Sequence, residues 1–347
     1  MGAAWPGNAG CICSKTPRVR TFVSILLLMV ALASAAGATF TEAFSTEPTH
    51  WQMWNPGAFQ WDTNAQNLAV TWDSRETNAY YYYKLPTTVT RQDAFGVEFN
   101  LRLDDLMLGI DPTMPSTFPI CIGFLNLAEA ERPNYQRGSG VDATHGARSL
   151  AEFAYFPDSG FGATVSMALV SASNKFAYSH SFPVELTLGD VFHVKMAFDP
   201  STQVMSMELL RNGQPYGEQP NNTIRPLAYP ATYGDFALDA FSVTTYNDAG
   251  QVPPQYAGSI LAHGVVDDIV ITWPDPPVAE IQGAFDQSQW TVQFIGKAGW
   301  NYTLQRTTDF RSWDTVVTSP GVDGAVRLVD PNANSVNAFY RISAARP

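Results

Sequence analysis

The chain has 347 residues, 45% hydrophobic and 15% charged, with 20 Lys and Arg against 32 Asp and Glu and a formal charge of −12. That balance argues against nucleic acid and anionic lipid surfaces as partners, because like charges repel. The length suffices for a core that buries roughly three quarters of the unfolded chain's surface, and no disulfide framework is available to replace one, since two of the 3 cysteines, Cys11 and Cys13, sit near the N-terminus.

Residues 1–38 read as a secretory signal. Lys15, Arg18 and Arg20 form a basic region, residues 22–36 an apolar or small-residue run, and Ala33-Ser34-Ala35 or Ala36-Gly37-Ala38 a cleavage site. The run of about 15 residues falls short of the roughly 20 that a membrane span needs. Cys11 and Cys13 precede it, so they leave with the signal and Cys121, in the strand-like PICIGF, remains as a buried small hydrophobe. Cleavage removes three of the 20 basic residues, leaving 17 against 32 acidic ones and a charge of −15. The expected location is secreted, extracellular or at the cell surface. The C-terminal ISAARP lacks an apolar membrane-sorting tail.

Downstream, alternation of period two dominates. EAFSTEP (42–48) and LAVTWDS (68–74) read as early strands. Asn78-Ala79-Tyr80-Tyr81-Tyr82-Tyr83-Lys84 puts Tyr80 and Tyr82 on one face and Tyr81 and Tyr83 on the other, so one pair is core and the other is free to stack on a sugar ring or a partner. In FGVEFNLRLDD (95–105), Phe95, Val97, Phe99, Leu101 and Leu103 share the buried face. Only FLNLAEAERP (124–133) looks helical, and Pro133 ends it. FHVKMAF (192–198) repeats the half-buried pattern, Asp199-Pro200-Ser201-Thr202 turns the chain into QVMSMELL, and Asn212-Gly213 makes a second tight turn. WPDPPV (273–278) cannot continue a ladder and marks a linker at 274–277. WTVQFI, YTLQRT, WDTVV, AVRLVD and AFYRIS then predict a small β-sandwich over 278–347.

FHVKMAFDPSTQVMSMELLRNGQPYG (192–217), the closing GSILAHGVVDDIVITW (258–273) and the two early strands together resemble concanavalin A-like, LamG-type jelly rolls of secreted bacterial proteins, over residues 39–273. The resemblance implies an all-β antiparallel jelly-roll sandwich and a polysaccharide or cell-surface glycan as partner. The tail is similar to a small accessory β-domain and implies no chemistry. Sugar-cleaving jelly rolls of the laminarinase type carry Glu-x-Asp-x-x-Glu, a run that occurs nowhere in this chain. The weak catalytic candidates are Glu152 and Asp158 of AEFAYFPDSG (151–160), six residues apart, with Asp158 heading an Asp-Ser-Gly turn where it caps backbone amides. A retaining pair needs about 5–5.5 Å between carboxyl groups and an inverting pair about 6.5–9.5 Å, against ~20 Å between Cα atoms along an unbroken strand.

The ligand-contact candidates are Trp72, Tyr81, Tyr83 and Glu152, on a concave sheet face. Trp51, Trp54 and Trp61 read mainly as core or edge cover. Calcium is the cofactor that the resemblance implies, with Asp235, Asp239 and Asp267 as candidate ligands and Asp248 and Asp268 beside them; no Asp-x-Asp-x-Asp-Gly loop is present. His50, His145, His180, His193 and His263 are dispersed, without a His-Glu-x-x-His helix, so zinc is not expected. No Gly-x-Ser-x-Gly elbow or phosphate loop occurs. The sequence thus favours a non-catalytic glycan-binding or adhesion module. Its competitors are a glycoside hydrolase or polysaccharide lyase with acids from distant strands, and a structural surface protein.

Overall fold

A computed structural model describes residues 37–133, 135–137, 146–225, 234–249, 257–286, 289–333 and 338–346. The signal reading, apart from its last two residues, and His145 therefore lie outside the described residues. The strands are β1 (Ala38–Glu42), β2 (Trp51–Trp54), β3 (Phe59–Asp62), β4 (Asn67–Asp73), β5 (Ala79–Val89), β6 (Phe95–Leu108), β7 (Ile120–Leu125), β8 (Leu150–Phe156), β9 (Thr164–Val170), β10 (Phe176–Ser181) and β11 (Phe192–Asp199). They continue as β12 (Val204–Arg211), β13 (Gln214–Pro215), β14 (Asn222–Ile224), β15 (Leu238–Thr245), β16 (Ile260–Trp273), β17 (Ala279–Asp286), β18 (Gln289–Gly296), β19 (Asn301–Thr307), β20 (Asp314–Pro320), β21 (Gly324–Asp330) and β22 (Phe339–Ala345).

Sixteen of these form two antiparallel sheets. One runs β13-β12-β11-β6-β16-β4-β3, with β1 added on β16 and β14 on β12; the other runs β10-β9-β8-β7-β15-β5-β2. The alternation of β6 and β11 sends Phe95, Phe99, Val194, Met196 and Phe198 between the sheets, where Phe95 meets Phe124 at 5.2 Å and Phe99 meets Phe153 at 5.9 Å edge-on. Each such ring, taken fully out of water, stabilises the fold by roughly 1.5–3 kcal/mol. The hairpins follow from their turn residues: Asp199 accepts from the Ser201 amide at 2.8 Å and from the Thr202 hydroxyl at 2.7 Å. Asn212 and Gly213 both take positive φ, as a two-residue hairpin requires.

Two local expectations are corrected. The helix predicted over 124–133 is a single turn, α1 (Leu127–Ala130), because Phe124 and Leu125 are claimed by the ladder of β7. Asn126 caps it, its side chain accepting from the Glu129 amide at 3.1 Å. The first strand is β1, ending at Glu42 where 42–48 was expected to begin one; beyond it Phe44 turns into the core with positive φ.

The last six strands form two three-stranded sheets, β17-β18-β21 and β20-β19-β22. Between them Val292, Phe294, Tyr302, Leu304, Val326 and Leu328 make a core separate from that of the large sandwich. The Tyr302 hydroxyl donates to the Pro277 carbonyl at 2.6 Å and accepts from the Lys297 amide at 2.7 Å. Arg346 stacks over the Trp300 ring at 4.7 Å, ion-pairs with Asp93 and donates to the Gln92 side chain at 2.6 Å. Of these six strands β17 is the one the sequence did not announce: Glu280, Ile281, Gln282, Gly283, Ala284 and Phe285 are all exposed.

Candidate functional site

The seven-stranded sheet has one face in the core and one facing away from it. On the outer face the register aligns whole rows across the strands. One row reads His180, Ser166, Ala154, Cys121, Thr244, Tyr80 and Trp54; the next reads Tyr178, Ala168, Glu152, Gly123, Ser242, Tyr82 and Gln52. Rings stand at His180, Tyr80 and Trp54 in the first row and at Tyr178 and Tyr82 in the second, on either side of four inner strands whose side chains are short apart from Glu152. The difference in height makes a trough across the sheet, and Glu152 is the one ionisable carboxylate on its floor.

That carboxylate is 1% exposed and ion-paired with Arg137, itself 2% exposed. Its second oxygen accepts from the Tyr246 hydroxyl at 3.2 Å. Arg137 arrives from the connection between β7 and β8 and lies 5.7 Å from the Phe176 ring centre. Along the same connection Tyr135 packs against Tyr246 at 6.3 Å, and the Ala130 carbonyl accepts from the Tyr80 hydroxyl at 3.1 Å. This layer closes the middle of the trough. Burial works against the charge of Arg137, yet Glu152 beside it holds the guanidinium above its ordinary value. Burial and then the Glu152 charge push the Tyr246 phenol and the Cys121 thiol well up, so neither supplies an anion near neutral pH. The Nη1 of Arg137 is buried and has no hydrogen-bond partner among the described residues.

The sequence candidates are not brought together. Trp72 and Tyr81 lie between the sheets, not on an open face: the Trp72 indole donates to the Thr244 carbonyl at 3.0 Å, and Tyr81 stacks on Trp51 at 4.9 Å. Tyr83 shares that inner side, stacked on Phe40 at 4.1 Å. Odd positions of β5 face the core because Tyr83 pairs with Phe241, a core residue, so Tyr80 and Tyr82 are the outward pair. Glu152 is on the outer face, as the alternation of β8 predicts, but spent on Arg137. Asp158 lies beyond the end of β8, exposed, accepting from the Gly160 amide at 3.0 Å as its turn predicts. The strand from Glu152 to Phe156 spans roughly 13 Å, and the structure gives the two carboxylates different surroundings, Glu152 buried against Arg137 and Asp158 exposed in its turn.

The calcium candidates are likewise separate. Asp235 accepts from the amides of Arg91 and Phe236 at 3.0 and 2.7 Å, Asp239 from that of Leu127 at 2.8 Å, and Asp267 from that of Asp268 at 2.7 Å. Asp248 accepts from Ser74 at 2.7 Å and Asp268 from Asn100 at 2.8 Å. Among the described residues no three His, Cys, Asp or Glu side chains converge as metal ligands, so these aspartates do not fit the six to eight oxygens of a calcium site.

Sequence reasoning missed the rings on the edge strand. Tyr178 and His180 project outward from β10 with centroids 4.9 Å apart and both half-buried. Just past the strand, Phe182 meets Phe161 of the β8–β9 turn at 5.7 Å, and these two are 56% and 76% exposed. The signal was available as Phe176-x-Tyr178-x-His180-x-Phe182, an aromatic at every second position. Burial pushes the His180 imidazole below its ordinary value, which keeps it neutral at pH 7.

No family model and no curated protein matches the chain. Among solved structures it is similar to peanut lectin with a 9mer peptide, at 16% identity over 69% of this chain and 99% of that one, with a TM-score of 0.41. It is also similar to an endo-1,3-β-glucanase from Streptomyces sioyaensis (15% identity, 70% and 98% covered, TM-score 0.35). A third is a protein with a galectin-like fold from Bacillus subtilis (12% identity, 70% and 99% covered, TM-score 0.36). By its strand order and antiparallel pairing, the large unit is an all-β sandwich of two antiparallel sheets, and a small β-sandwich follows it.

Proposed function

We propose that the protein is a secreted, non-catalytic glycan-binding module whose ligand lies along β10, at the open border of the trough. The observation that carries this is the strip of Tyr178, His180, Phe182 and Phe161, rings that are half-buried or exposed beside the short polar side chains of Thr164 and Ser166. The C–H faces of a pyranose stack on exposed rings, while hydroxyl and imidazole tips give its hydroxyl groups partners. Secretion rests on residues 1–38, and a division into a binding domain (39–273), a proline linker (274–277) and an accessory domain (278–347) rests on the two separate cores. A lone carboxylate neutralised by arginine supports binding over hydrolysis, since neither a retaining nor an inverting mechanism runs on one acid.

The test is a glycan array on the mature protein, with and without calcium, with reducing-end release assayed on every polysaccharide retained. Binding without release is expected, unchanged by calcium. The variant Phe161→Ala/Phe182→Ala loses at least tenfold in affinity, on the scale of ~1–3 kcal/mol for stacked rings, with an unaltered melting temperature. Silence on the array, or release of reducing ends, defeats the reading.

A further inference from the structure

We propose that β17 is the contact through which two copies of this chain associate, by antiparallel pairing of β17 with β17 of the second copy about a two-fold axis at Ala284. Strand edges present unpaired backbone groups, and proteins ordinarily blunt them by shortness, charge or cover. The large sandwich does so: the terminal strands of its sheet orders have two (β13), four (β3), four (β2) and six (β10) residues. In the small sandwich β20 packs beside β21, which closes one side. On the other side β22 carries Arg341 at its centre, held by Gln305 at 2.8 Å and over Trp313 at 4.1 Å.

Strand β17 is neither short nor capped by a further strand among the described residues, and its two charged residues, Glu280 and Asp286, stand towards its ends. It has eight residues, pairs only with β18 among the described strands, and carries Ile281-Gln282-Gly283-Ala284-Phe285 at its centre without a charge. Ile281 and Phe285 are 61% and 60% exposed although their strand borders an apolar core. A bulge disturbs the register between Ala279 and Gln282, with Glu280 at positive φ, so the regular stretch is residues 282–286.

The occupant follows from charge and register. Residues 39–273 hold 11 basic and 25 acidic residues, a formal −14, while residues 274–347 hold 6 and 7, a formal −1. Two copies repel through their large sandwiches and meet at least cost through the small ones. A two-fold at Gly283 would set Glu280 opposite Asp286, two like charges. At Ala284 it sets Gln282 opposite Asp286, Ala284 opposite itself and Gly283 opposite Phe285. A side chain on Gly283 would come within 2.4 Å of the Trp290 ring, so that ring lies over the glycine. The pairing therefore brings each exposed Phe285 to the other copy's Trp290 and joins two three-stranded sheets into one of six, burying both apolar edges.

Sedimentation velocity on the full chain across a wide concentration range is the test. We expect a dimer, lost in Gln282→Lys/Ala284→Lys, with the melting temperature unchanged at concentrations where the parent chain is also monomeric, because both side chains are exposed. Oxidised Ala284→Cys cross-links the dimer, since the two positions face each other. Gln282→Cys does not, because the axis leaves its two copies ~14 Å apart along the strands, beyond the ~7 Å limit for a disulfide. A monomer at every concentration, a dimer indifferent to the lysines, or cross-linking from 282 without 284 overturns the proposal. None of these readouts involves glycan.

Discussion

The two sheets of the large sandwich share antiparallel pairing and face one core, yet they meet water differently. In the nine-stranded sheet β11 and β12 alternate between buried and open positions, and outer-face charges pair in solvent: Lys195 reaches Glu98 at 2.7 Å with both side chains substantially exposed. In the seven-stranded sheet β7, β8 and β9 have no open position at all. Their outer face is covered by the connection that carries Leu127, Tyr135 and Arg137, and the Glu152 carboxylate beneath it is paired with Arg137. An ion pair is therefore an incidental surface contact on one sheet, and on the other a buried pair neither partner of which can be removed alone without stranding a charge. The proposed ligand strip accordingly lies at the border of that sheet along β10, where Phe161 and Phe182 are exposed.

The sharpest way to break this comparison is Glu152→Ala, which strands a buried guanidinium. A loss of about 3–5 kcal/mol is expected, read by urea unfolding, and Glu152→Met/Arg137→Met recovers most of it because an apolar pair needs no partner. A loss below 1 kcal/mol would mean that water reaches the pair. A smaller effect is expected at the β11–β12 hairpin, where hydrogen bonds from Ser201 and Thr202 lower the Asp199 carboxyl from 3.8 to about 2. Because the folded value is the lower one, its stabilisation is present above pH 3.8 and lost as pH falls through about 2. Asp199→Asn should cost under about 1 kcal/mol at pH 6, and the cost should shrink below pH 3.8 and vanish only below about pH 2, in paired thermal melts. The least effect belongs to Glu98→Gln on the open face, within about 0.5 kcal/mol and shrinking with salt. A cost matching that of Glu152→Ala would erase the distinction between the sheets.

The part of the fold legible in the sequence is the part where one face is wet. Phe95, Val97 and Phe99, and Phe192, Val194 and Met196, announce their inner side because polar residues separate them. The Asp199 and Asn212-Gly213 turns carry their own geometry. Four consecutive tyrosines carry no such contrast, so their alternation shows that two point each way without saying which two. Glu152 reads as a face residue but not as a buried one, because its partner comes from a connection 15 residues away.

By itself the sequence determined an all-β antiparallel chain, its hairpins and the proline break before the last strands, because period-two patterning and turn chemistry are local properties. Tertiary structure alone decided that Trp72 and Tyr81 fill the core, that Arg137 roofs Glu152, that Asp93 meets Arg346 from the far end of the chain, and that β17 keeps an open edge. Each of these depends on what covers a strand from outside its own ladder. A strand's residues record only that they are apolar or polar, and the covering group comes from a segment whose position no local pattern encodes.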